Sequence, residues 1–84
     1  MNTGEPVAAP KEIIDTVMRI WCRILNRKIV PADVSFVQLG GDSLLFIAVL
    51  TEIQDQFGVY LEIADVLDDP TVTGIARLVM LTQG

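Results

Sequence analysis

An 84-residue chain has room for one domain with one hydrophobic core, near the lower limit at which helices pack without disulfides or metal. Its 51% hydrophobic and 20% charged residues exclude a disordered segment, and its net charge of −5 argues against nucleic-acid binding, where cations must neutralise phosphates. One cysteine and no histidine exclude an internal disulfide, a zinc site of the usual ligand count and histidine-assisted nucleophilic catalysis.

No apolar run reaches the roughly 18 residues of a spanning helix, and Met1 to Pro10 lacks the basic-then-apolar plan of a signal peptide. The expectation is a soluble, cytoplasmic monomer with no affinity for membrane or nucleic acid. Charge is distributed unevenly. Lys11, Arg19, Arg23, Arg27 and Lys28 precede residue 29, and the next cation is Arg77. The intervening span carries Asp33, Asp42, Glu52, Asp55, Glu62, Asp65, Asp68 and Asp69, which suits either solubility or the steering of basic partners.

Residues 1–9, rich in Gly, Pro, Ala and Thr, predict a frayed tail, with the domain proper over 10–84. From Pro10, the spacing of Ile13, Ile14, Val17, Ile20, Trp21, Ile24 and Leu25 predicts a first helix over roughly 10 to 26. Asp15, Arg19, Arg23 and Arg27 hold its opposite side, most simply as a solvated face and otherwise as a docking face. Cys22 reads as a small core residue.

Arg27 to Asp42 has no sustained period and contains Pro31, Gly40 and Gly41, so a long loop follows, pinned by Val34, Phe36 and Leu39. The second helix runs from Ser43 to about Phe57, burying Phe46, Val49, Leu50, Ile53 and Phe57, with Phe57 as a core anchor and Gly58 as the stop. Leu44, Ile47, Ala48 and Thr51 form a second stripe on the same helix. In so small a bundle that stripe must look largely at solvent, the signature of a partner surface. A short third helix over about Glu62 to Leu67 and a fourth over about Thr71 to Leu81, started by Asp69, Pro70 and Thr71, complete an all-α, four-helix domain.

The stretch Leu39, Gly40, Gly41, Asp42, Ser43, Leu44 places two glycines before a serine at a helix start, where unpaired N–H groups and the helix dipole favour negative charge. A phosphate ester on Ser43 would be well placed there. Position alone favours Ser43 acting only as an N-cap, with the glycines merely making the turn.

That stretch resembles the core motif of acyl and peptidyl carrier proteins, and the double glycine is most similar to thiolation domains of nonribosomal peptide synthetases. The resemblance extends over about residues 10 to 82, through Trp21, Leu25, Phe36, Phe57, Gly58, Pro70, Thr71 and Val72. It implies a bundle of acyl-carrier type that catalyses nothing and carries 4'-phosphopantetheine, transferred from coenzyme A, on Ser43, with Gly41, Asp42 and Leu44 around the attachment point. It implies as partners a phosphopantetheinyl transferase, an adenylating or acyl-loading enzyme, and condensing, tailoring or thioesterase enzymes, met through Leu44, Leu45, Ile47, Ala48, Thr51 and Leu67. Apolar Leu45, Ile47 and Ala48 depart from the acidic face of fatty-acid carriers, leaving a polyketide or fatty-acid carrier as the alternative. Phe46 departs too, because small residues are common there. The opening methionine and the end soon after helix four favour a free-standing carrier, although an excised domain would look the same.

Two readings compete. Gly41, Asp42, Ser43 and Leu44 also spell the nucleophile block of a serine esterase family, but the chain has no histidine to activate the serine and no room for an α/β scaffold. A helical interaction module without a prosthetic group would leave Ser43 unmodified.

Overall fold

A computed structural model describes residues 9–83. Four helices are present, α1 (Lys11–Leu25), α2 (Ser43–Phe57), α3 (Ile63–Asp68) and α4 (Val72–Gln83), with no strand among the described residues. The all-α expectation holds. Helix α1 packs on α4 and α2, and α3 packs on α4.

Local chemistry sets the helix ends. Pro10 flanks α1 instead of opening it, and its carbonyl accepts the N–H groups of Ile13 and Ile14 at 3.1 Å. Asn26, one of the few residue types that tolerates the left-handed region, closes α1 at φ 55°, and the Arg27 N–H returns to the Cys22 carbonyl at 2.9 Å. Gly58 ends α2 as expected, its N–H bonding to the Gln54 carbonyl. At α4, the Thr71 hydroxyl accepts the Gly74 N–H at 3.0 Å and donates to the Asp69 carboxylate. That is an N-cap held by its own neighbour.

The core gathers Val17, Ile20 and Trp21 from α1, Val49 and Ile53 from α2, Val66 from α3, and Val72, Ile75, Ala76 and Val79 from α4. Phe46, Leu50 and Phe57 pack against it only half-buried, so Phe57 is not the anchor its spacing suggests. Residues 1–8 of the expected tail lie outside the described residues, whereas Ala9, its last member, is buried in the core. Cys22 is half-buried, with its thiol directed at the Lys28 carbonyl.

The anchor is instead in the long loop, where Phe36 is 2% exposed. Its ring meets Trp21 edge-on at a centroid distance of 5.0 Å and Phe46 at 5.2 Å, arrangements each worth about 0.5–1.5 kcal/mol beyond burial. Val30 and Leu39 are buried beside it and Val34 is half-buried. Hydrogen bonds complete the pinning: the Phe36 N–H donates to the Pro70 carbonyl at 2.9 Å, and the Thr73 N–H and hydroxyl both donate to the Ala32 carbonyl. A segment without regular structure is thereby fastened to the start of α4.

Truncating Phe36 to alanine therefore removes about 3–5 kcal/mol of stability, comparable with the whole stability of a domain this small. Phe57→Ala, at a site only partly buried, costs less. Urea melts of the two variants check the order.

Candidate functional site

The geometry at Ser43 begins at Ser35. The Gln38 N–H donates to the Ser35 hydroxyl while the Ser35 N–H donates to the Gln38 side-chain carbonyl, a reciprocal cap that starts one turn of helix. The Leu39 N–H reaches the Ser35 carbonyl at 3.2 Å, and the Gly41 N–H closes the turn on the Phe36 carbonyl at 3.0 Å. Gly40 sits at φ 89°, which favours glycine, although nothing crowds the space around it. Gly41 is required for the opposite reason, since a Cβ there would overlap the Phe36 ring. The two glycines perform different tasks, one conformational and one steric.

With its backbone laid against that ring, the chain enters α2 in an extended conformation at Asp42, with φ −121° and ψ −178°. The Asp42 carboxylate accepts the Leu45 N–H at 2.9 Å and its carbonyl accepts the Phe46 N–H. Asp42 is therefore the N-cap, and the reading of Ser43 as a cap is corrected. Ser43 is the first helical residue, exposed, and its hydroxyl makes no hydrogen bond among the described residues. The Asp42 carboxylate takes only the Leu45 N–H, so those of Ser43 and Leu44 remain for an outside acceptor at the positive end of the helix.

Around Ser43 lies an apolar rim. Leu44 is 79% exposed, Ile47 53% and Leu67 60%, all larger than a solvated helix face requires, and Thr51 is exposed with its hydroxyl turned back to the Ile47 carbonyl. Ala48 is half-buried, and Leu45 turns in against the core, so of the six residues expected on the surface these two contribute least. A cleft of 270 Å³ opens beside Ser43 between Phe36, Val37, Phe46, Leu67 and Pro70. Val37, Tyr60 and Ile63 extend the exposed apolar area, although the sequence reading did not single them out. The pattern hides them because they lie in a turn, in the connection after α2 and in a helix with one buried residue, Val66, where no period exists to be broken.

The residues present suit a phosphopantetheine ester: an unengaged hydroxyl, two free N–H groups for a phosphate, and an apolar cleft adjacent. Residues 15–79 match the family described as "Phosphopantetheine attachment site". The chain is 38% identical over 76 residues to the pyochelin synthetase PchE of Pseudomonas aeruginosa, covering 90% of this chain and 5% of that protein. It is also 38% identical over 64 residues to a dimodular nonribosomal peptide synthase of Bacillus subtilis, covering 76% of this chain and 3% of that one. The chain thus spans a few per cent of the synthetases it matches. Among solved structures, it superimposes with a TM-score of 0.81 and 25% identity on the structure of the phosphopantetheine transferase Sfp in complex with coenzyme A and a peptidyl carrier protein, over 90% of this chain and 99% of that one. BlmI, a type-II acyl-carrier-protein from Streptomyces verticillus involved in bleomycin biosynthesis, gives a TM-score of 0.82 at 26% identity, over 88% of this chain and 89% of its own. The chain belongs to the phosphopantetheine attachment family, as a non-catalytic carrier domain similar to segments of nonribosomal peptide synthetases.

Proposed function

We propose that Ser43 is the attachment point, and that the domain over 10–84 presents acyl, aminoacyl or peptidyl thioesters to partner enzymes of nonribosomal peptide synthesis. The observation that carries this reading is the division of labour at the start of α2, where Asp42 caps the helix and leaves the Ser43 hydroxyl exposed and unengaged. When bound, 4'-phosphopantetheine supplies a thiol whose thioester activates the cargo carbonyl. Ser43 provides the anchoring oxygen, and the N–H groups of Ser43 and Leu44 face the phosphate it would carry. The rigid helix start keeps the anchor on the surface, and tethering raises the concentration of cargo at each partner's active site.

Partners follow from the rim. A phosphopantetheinyl transferase, an adenylating or acyl-loading enzyme, and condensing, tailoring or thioesterase enzymes would dock on Leu44, Ile47, Thr51 and Leu67, with Ala48 and Leu45 at the margin. Exposed Glu62, Asp65 and Asp68 at α3 favour partners with basic edges. Asp42 faces the transferase beside the serine to be modified. Loading from coenzyme A suits a monomer working in the cytoplasm.

Two measurements test the assignment. Incubated with coenzyme A, magnesium and a broad-specificity transferase, the chain gains the mass of one phosphopantetheine and the Ser43→Ala variant gains none; a gain that survives Ser43→Ala, or folded wild type left unmodified, contradicts it. In thermal melts, Asp42→Ala costs about 1 kcal/mol as a lost cap, whereas Ser43→Ala stays within about 0.5 kcal/mol. A larger loss for Ser43→Ala would mean that its hydroxyl is engaged in the fold.

A further inference from the structure

A groove of 580 Å³ lies apart from Ser43, lined by Thr16, Arg19, Ile20, Cys22, Arg23, Arg27, Lys28 and Gln56. Four of the chain's six cations line it and no carboxylate does. Glu52, at its edge, pairs with Arg23 at 2.8 Å and is held below the usual carboxylate range by that bond and by one from Gln56. Arg19, Arg27 and Lys28 have no ion-pair partner among the described residues. Like charges gathered in a concavity repel one another more than charges spread over a convex helix face, so solvation alone does not favour the arrangement. Buried Ile20 and half-buried Cys22 form its floor, giving apolar contact beneath the charged rim.

We propose that this groove docks a short acidic segment of a partner protein. Charge complementarity names the occupant, because three cations unpaired among the described residues, over an apolar floor, fit carboxylates that alternate with an apolar side chain. The size agrees: from Thr16 to Arg23 the groove follows about 11 Å of α1, the length of about three extended residues or two helical turns. A long polyanion such as RNA fits poorly, since it would run on to a surface whose residues 29–76 carry eight carboxylates and no cation. Thirteen residues, or about 20 Å of α2, separate Ser43 from Gln56. A segment held in the groove thus leaves Ser43 and its apolar rim free, and a partner can be retained while another enzyme works at the serine.

The test uses the full chain and a fluorescein-labelled octapeptide with four glutamates flanking a central leucine, followed by anisotropy. Wild type binds it, more weakly as salt rises, and the triple variant Arg19→Glu, Arg27→Glu, Lys28→Glu binds at least about tenfold more weakly. Lys11→Glu, which reverses a cation outside the groove, binds within about twofold of wild type. Circular dichroism establishes that the variants are folded, and unchanged modification by the transferase separates this result from the assignment of Ser43. No binding by wild type, equal binding by the triple variant, or tighter binding of an oligouridylate of equal charge overturns the proposal.

Discussion

The contact between the Gly41 backbone and the Phe36 ring is the constraint on which the rest of the site depends. Phe36 is held from below by Trp21 and from the side by Phe46, and its own N–H is tied to Pro70 at the start of α4. The ring is therefore a fixed surface, and the chain can cross it only where a residue has no Cβ. Having crossed, it can enter α2 in one way, with Asp42 extended as the cap and Ser43 as the first helical residue. The position of one serine is in this sense a property of the whole core.

Regular elements were legible in the sequence because their signals are local and periodic. Gly58 stops α2, Thr71 caps α4, and Phe36 and Leu39 pin the long loop, all as their residue types predict. What was hidden is what periodicity cannot carry. Phe57 has the spacing of a core residue but lies at the last turn of α2, where the bundle covers it only in part, while Phe36, in a segment with no period, takes the anchoring role. The cap went to Asp42 rather than Ser43 because both residue types cap well, and only the extended backbone at 42 distinguishes them. Leu45 shares a stretch with Leu44 and Ile47, yet the 100° step of the helix turns it toward the core.

Charge and apolar surface are segregated in a way that follows from the same architecture. Around Ser43, exposed Leu44, Ile47 and Leu67 sit with the acidic residues of α3 and offer what a transiently docking enzyme needs: apolar contact for affinity and carboxylates for steering. At the other end of α2, the arginines of α1 continue through Arg27 and Lys28 into the basic groove. Seen as a helix stripe, these arginines look like solvated charge; the return of the chain after Asn26 and the approach of Gln56 turn the stripe into a concavity. On the functions proposed for them, the two surfaces would let the domain meet enzymes at Ser43 and keep hold of a partner elsewhere.

The position of Ser43 requires the loop before it to be part of the folded core, and native-state hydrogen exchange of the full chain is the measurement to make. The amides of Phe36, Gly41 and Thr73 donate to carbonyls of the loop or of its α4 anchor, so they are predicted to open only with the global unfolding that exposes Trp21 and Ile75. If these amides instead exchange at the rate of an open loop while α1 and α4 stay protected, the Phe36 ring does not set the position of Ser43.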